Sequence, residues 1–156
     1  MPKIDATKAV VRIKGVYPHP HRSVTDGREK AALGNVAGLT QFGVNLTRLK
    51  PGAASALRHW HENEDEFIYV LEGELTLIED DGETVLRPGD CAGFRAGVSN
   101  GHQLVNKSQR DARYLEIGTR AATERCHYPG VDLVMERDGQ GMRFMRTTGE
   151  PYPEEP

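Results

Sequence analysis

Gly52-Ala-Ala-Ser-Ala-Leu-Arg-His59-Trp60-His61-Glu-Asn-Glu-Asp-Glu66-Phe-Ile-Tyr-Val-Leu-Glu-Gly73 is the stretch on which the reading of this chain turns. In an extended segment successive side chains alternate between faces, so His59 and His61 point into one space and Trp60 points away from it. Glu66 lies five positions beyond His61, an odd offset that an unbroken strand would turn to the other face. The polar run over 62–65 must therefore form a turn that resets the phase, after which the carboxylate can join the two imidazoles.

Working outward, the fourth group has to be brought in by the fold, and His102 is the candidate. It follows a Gly-containing loop over 94–101 and opens the apolar segment Gln103-Leu104-Val105-Asn106. Three imidazoles and a carboxylate suit one divalent first-row ion, Mn, Fe, Co, Ni, Cu or Zn, and the ligand types do not choose among them. A second His-x-His, His19 and His21, is flanked by prolines and has no carboxylate at ligand spacing, so it is read as part of a surface or interface segment.

These residues resemble the two motifs of the cupin superfamily. The first, G-x5-H-x-H-x3,4-E-x6-G, is met by His59, His61, Glu66 and Gly73, with Gly52 one residue further upstream than the pattern has it. The second, G-x5-P-x-G-x2-H-x3-N, is met by Gly89, Gly97, His102 and Asn106, with Arg95 in place of proline and four residues rather than two between Gly97 and His102. The resemblance extends over about 38–117. It implies an all-β fold, a double-stranded β-helix or jelly-roll barrel, with His59, His61, Glu66 and His102 as metal ligands. Within the superfamily the wording is similar to a group of small bacterial cupins, some of which carry a sugar phosphate isomerase label by analogy.

The 156 residues fall in the range of one domain. Apolar residues make up 37%, charged residues 28%, and the net charge is -3 without a Lys/Arg stripe, which argues against a nucleic-acid partner. Cys91 and Cys126 are 35 positions apart and form no Cys-x-x-Cys, so neither a disulfide framework nor a thiolate zinc site is expected. A reducing cytoplasm suits that pattern. The first eleven residues lack the apolar run of a secretory signal, and no stretch is long enough to span a membrane as a helix.

Organisation follows from punctuation. Residues 1–32 read as an N-terminal arm with a short edge strand over 10–16, 33–118 as the cupin barrel, and 119–156 as a C-terminal β-hairpin and tail on the same domain. Phe42, Val44 and Leu46 alternate with polar or small residues in a half-buried strand. Residues 67–71 are apolar on both faces, so something is expected to cover the outer one. Turns at 72–73, 80–82 and 88–90 separate further strands in a meander. Residues 119–125 are polar and are expected to hold a single helical turn, and Asp138-Gly139 links the two strands of the hairpin. Cys91 is expected to be a buried structural thiol.

Function is expected to follow the ion. The first expectation is a metal-dependent isomerase or lyase acting on a small oxygenated anion such as a sugar phosphate, with Glu64 or a bound water moving a proton and Arg95, helped by Arg48 or Arg58, gripping the anion. The alternatives are a metal-dependent dioxygenase or other oxidoreductase, and a non-catalytic small-ligand-binding or regulatory protein. A homodimer is expected. Glu62, Glu64, Asp65 and Asn106 are the expected hydrogen-bond partners of the ligand histidines.

Overall fold

Period-two alternation and frequent Gly or Pro turns govern the backbone of the computed structural model, which describes residues 2–153; the last part of the expected tail, 154–156, lies outside the described residues. The strands in chain order are β1 (Val11–Arg12), β2 (Arg28–Ala32), β3 (Phe42–Leu49), β4 (Trp60–His61), β5 (Glu66–Glu72), β6 (Leu75–Glu79), β7 (Gly82–Leu86), β8 (Cys91–Phe94), β9 (Gln103–Val105), β10 (Ala112–Thr119), β11 (Glu124–His127), β12 (Val134–Asp138) and β13 (Gly141–Met145). Helix among the described residues amounts to one α turn, Leu33–Val36, and two 3-10 turns.

The strands form a six-stranded sheet in the order β1-β2-β3-β10-β5-β8, a four-stranded sheet β13-β12-β11-β4 and a three-stranded sheet β7-β6-β9. The pairing is antiparallel throughout, and no sheet closes on itself. A continuous barrel was the expectation; in its place, the segments around the ligands are joined by isolated bridges, Ala54 to Val105 and His59 to His102. The physical reason lies in the connecting segments. Pro51, Pro88 and the Gly/Ser-rich loops cannot sustain a ladder of N–H donors, so the sheets meet at single bridges.

Two expectations about the first half need correction. Residues 1–32 are not merely peripheral, because β2 pairs along β3 from Arg28 opposite Leu49 to Ala32 opposite Asn45 and is an integral strand of the large sheet. Within β3 the buried half is the one carrying Thr47 and Leu49, both fully buried, whereas Phe42 is 40% exposed. A cross-strand row explains this choice of face: Lys30 lies opposite Thr47, Thr47 opposite Tyr114 and Tyr114 opposite Val70, all directed inward. In β5, Ile68 and Val70 are buried as their parity demands, but Phe67, Tyr69 and Leu71 are exposed at 40%, 40% and 45%. No described part of the chain covers them.

Residues 119–125 also differ from expectation, since β11 begins at Glu124 and pairs with both β12 and β4. β12 and β13 pair from Val134 opposite Met145 to Asp138 opposite Gly141. Two apolar clusters result. One contains Leu49, Val70, Leu75, Leu77, Leu104 and Tyr114, and the other Tyr17, Cys126, Tyr128, Leu133 and Met135. The candidate site lies between them.

Candidate metal centre

β5 begins at Glu66, and its inward face carries Glu66, Ile68 and Val70. β4 contributes His61 through its pairing with Cys126 of β11. His59 and His102 face each other through reciprocal backbone bonds, His59 N–H to His102 O at 3.1 Å and His102 N–H to His59 O at 2.9 Å. The reset expected between His61 and Glu66 is present and is held from outside. Glu124 Oε1 accepts the amides of Glu62 at 3.0 Å and Asn63 at 3.2 Å. Glu64 Oε1 accepts the Ala121 amide at 3.0 Å, and the Asp65 amide donates to Thr119 Oγ1 at 2.9 Å.

The four side chains converge. Glu66 Oε2 lies 2.7 Å from His102 Nε2, 3.2 Å from His61 Nε2 and 3.5 Å from His59 Nε2. Donors about 2.1 Å from one shared ion stand roughly 3.0–3.4 Å apart at tetrahedral or octahedral angles; the separations from Glu66 bracket that range, so the cluster could hold a metal ion. His59, Glu66 and His102 bring ligand atoms within 4.8 Å of one another; His61 meets Glu66 from the far side, its ring centroid 6.5 Å from that of His102. Both ring nitrogens of His61 are buried without a hydrogen bond, a costly arrangement unless a cation or proton occupies one of them.

Electrostatics follow the same geometry. Burial works against the charge on Glu66, but the hydrogen bond with His102 and the close imidazoles of His59 and His61 hold its carboxyl well below the usual carboxylate range. Burial likewise opposes protonation of His61, yet Glu66, Glu124 and Glu64 together raise its pKa. For His102 burial prevails and the pKa falls, with the neighbouring His59 and His61 acting in the same direction.

The back side of each imidazole differs from expectation. His59 Nδ1 lies 2.7 Å from the Leu57 carbonyl, which fixes Nε2 as the free nitrogen. His61 Nδ1 faces Glu124 Oε2 at 3.7 Å; that oxygen is buried and makes no hydrogen bond. The His102 ring stacks on Phe94 at 3.6 Å and 5°. Of the expected partners, Glu62 bonds His127 at 2.7 Å, Asp65 Oδ1 accepts the Ala96 amide at 2.8 Å, and Asn106 Nδ2 donates to Leu49 O and Arg110 O. None of the three reaches a ligand histidine. Glu124 escaped the sequence reading because it sits 58 positions from Glu66 in a polar stretch without a motif.

Two cavities are lined by the candidate ligand histidines. The larger, about 240 Å³, is lined by His59, His61, Glu66, His102 and residues of both apolar clusters, and also by Arg28, Lys30 and Glu116. The smaller, about 200 Å³, is lined by Trp60, His61, Glu64, Arg95, Asn100 and His102. Glu64 and Arg95 thus share a cavity, with Glu64 paired to Arg137. Arg48 and Arg58 do not join Arg95: Arg48 binds Glu29 and Asp111, and Arg58 binds Asp80. Trp60 stacks on His127 at 4.3 Å and 16°. Cys91 is exposed rather than buried, because its register opposite Tyr69 puts it on the outer face. Cys126 lies within 4.8 Å of His59 and His61, but burial pushes its thiol up, so it is a poor thiolate ligand.

Antiparallel sheets around a pocket lined by three imidazoles and one carboxylate define a β-fold protein with a cluster that could hold a metal ion. The chain belongs to the cupin superfamily. A family model described as a cupin domain matches residues 45–118. The crystal structure of a cupin-superfamily sugar phosphate isomerase from Silicibacter pomeroyi is 47% identical, with 97% of each chain covered and a TM-score of 0.94. The polyketide cyclase RemF from Streptomyces resistomycificus is 20% identical over 76% of this chain and 79% of its own, with a TM-score of 0.60. A predicted oxalate decarboxylase from Thermotoga maritima is 19% identical over 76% of this chain and 99% of its own, also at 0.60. Those last two share the fold. No curated protein matches the chain. No helix among the described residues is long and apolar enough to cross a membrane.

Proposed function

We propose that this chain is a metal-dependent isomerase or lyase acting on a small oxygenated anion such as a sugar phosphate. The observation that carries the reading is the gathering of three imidazole Nε2 atoms around one oxygen of Glu66, at 2.7–3.5 Å, on the wall of a cavity large enough for a small molecule. The 47% identity to a sugar phosphate isomerase over nearly the whole chain supports the choice of reaction. His59, His61, Glu66 and His102 would hold the divalent ion, which when bound supplies a Lewis acid able to polarise a carbonyl or hydroxyl. Two further carboxylates can move a proton. Glu64 stands on the smaller cavity, with Oε1 taken by Arg137 and the Ala121 amide, and Arg95 beside it attracts an anion to that mouth. Glu116 stands on the larger cavity with its partner Lys30.

The test is metal analysis of protein prepared without a nickel-binding tag, with His102→Ala as the comparison, followed by turnover on a panel of sugar phosphates. The variant is expected to lose 10- to 100-fold in metal affinity and all isomerisation. Metal retention at the parent level, or oxygen uptake in place of isomerisation, would overturn the reading.

The assembly proposed is a homodimer through the outer face of the six-stranded sheet. Val11, Ala31, Leu46, Leu115, Tyr69 and Cys91 are opposite one another across all six strands and share that face. The charges on it are already paired, Arg48 with Glu29 and Asp111 and Arg113 with Glu72, so an apolar row with a neutralised rim is offered to its own copy. Tyr69→Glu is expected to sediment as a monomer while retaining metal; a monomeric parent would remove the proposal.

A further inference from the structure

The larger cavity contains a guanidinium with little to bind. Arg28 opens β2, and its register opposite Leu49 turns it to the cavity side. Its Nη1 donates to the Ser55 carbonyl at 2.6 Å. No carboxylate pairs with it among the described residues, and the rest of its five-donor fork has no acceptor there. Several other arginines are held by carboxylates, Arg48 by two, Arg58 by one and Arg143 by two. Its remaining donors are not sealed off, so they face the open chamber, where an anion can displace the water on them.

Three more observations bear on what that anion is. Lys30, two positions along β2 on the same face, lines the same cavity and uses one of its three donors on Glu116 at 2.6 Å. Tyr114 is fully buried, lines the cavity and leaves its hydroxyl without a hydrogen bond. The formal charges that line the cavity are Arg28 and Lys30 against Glu66 and Glu116, which cancel. With a divalent ion bound, and the buried Glu124 carboxylate behind His61 counted with them, these groups would leave the chamber one charge positive.

We infer that Arg28, with Lys30 and the Tyr114 hydroxyl beside it, is the seat for a phosphate dianion in the larger cavity, and so fixes which of the two cavities the substrate enters. The choice of phosphate over other oxyanions rests on the isomerase reading; the placement at Arg28 rests on geometry. A planar fork suits two phosphate oxygens at once, which the Lys30 ammonium cannot match. The phosphate end of a substrate would then be anchored on β2 while its carbonyl end reaches the His59, His61 and His102 side of the same space.

The experiment is titration calorimetry with inorganic phosphate on the metal-loaded protein and on the metal-free protein. Parent, Arg28→Met, Arg28→Lys, Arg95→Met and Arg48→Met are compared. Arg28→Met is expected to weaken phosphate binding at least tenfold in both forms. Arg28→Lys keeps a donor for Ser55 and the charge, so it is expected to fold with an unchanged melting temperature and still lose at least threefold. Arg48→Met, whose guanidinium is held by Glu29 and Asp111 and lines neither cavity, is expected to stay within about threefold of the parent, and any loss in Arg95→Met to be smaller than that in Arg28→Met. Phosphate binding by Arg28→Lys equal to the parent, a loss confined to Arg95→Met, or no phosphate binding by the parent would each overturn the inference. Failure of the isomerase reading looks different: phosphate binding that depends on Arg28 with no turnover on any sugar phosphate. Turnover with an unchanged KM in Arg28→Lys would sink the inference alone.

Discussion

Glu124 combines two roles that a single carboxylate oxygen could not. Oε1 collects the amides of Glu62, Asn63 and Arg125 at 3.0, 3.2 and 2.7 Å, which builds the turn that brings Glu66 round to the histidines. Oε2 is left buried and facing His61 Nδ1. A carboxylate behind a ligand imidazole orients the ring and raises its basicity toward the metal. Glu124→Gln keeps an amide-accepting oxygen for the turn but removes the charge behind His61. The expected result is metal affinity lowered 10- to 100-fold with little change in the urea midpoint, read by competition with a chromogenic chelator. Equal affinity in the two proteins would show that His61 needs no such support. Of the candidate ligands, His102 was reached through the second motif, whereas His59, His61 and Glu66 were legible in the sequence because their spacing is local and alternation fixes their face. Glu124 and Arg28 were not, since each reaches the site only through strand pairing with distant segments, β11 with β4 and β2 with β3.

At the scale of elements, turn chemistry was the most readable feature. Gly73 closes β5 with φ +77°, and a Cβ there would sit 2.5 Å from the Asp111 carbonyl oxygen and 2.8 Å from Ala112 Cα, both backbone atoms of the segment leading into β10. Gly52 has φ +82° but open space around it. Gly52→Ala should therefore cost about 1–2 kcal/mol for the left-handed conformation alone. Gly73→Ala adds overpacking against the centre of the sheet, for a total of about 3 kcal/mol or more. Urea denaturation of the two variants separates these terms, and equal midpoints would mean that the β5–β6 turn moves freely away from β10. Strand existence was also readable, as β3, β5 and the β6–β7 meander show. The buried face of β3 was less so, because its inward row sets Thr47 between Lys30 and Tyr114, and the apolar alternation of Phe42, Val44 and Leu46 marks the outside. β11 was missed for a related reason: Glu124 and Arg125 have weak strand propensity, and pairing on both edges overrides it.

The whole molecule is held together partly by groups that must remain neutral. Tyr17, Tyr114, Tyr128 and Cys126 are all buried around the chamber, and burial is the largest cause of a raised pKa in each. Tyr17 is pushed up to about 12, even though the Leu57 amide that donates to its hydroxyl pulls the other way. An acid whose folded pKa lies above its unfolded value binds its proton more tightly in the native state. Its contribution is complete below the unfolded pKa, about 8.5 for cysteine and 10 for tyrosine, and disappears as pH climbs from there toward the folded value. Each such group lowers stability by up to about 1.4 kcal/mol per pH unit across that window. Several acting together can exhaust the roughly 5–15 kcal/mol of a typical domain within a few pH units. The urea midpoint is therefore expected to be level near pH 8, to begin falling near pH 9 and to drop steeply by pH 11. Tyr17→Phe should reduce the slope between pH 10 and 12 by about one proton, at the cost of the bond to Leu57, which lies next to the carbonyl that orients His59. A midpoint that stays flat to pH 11 would mean that the tyrosines around the chamber are reached by water and that the cavity wall opens without global unfolding.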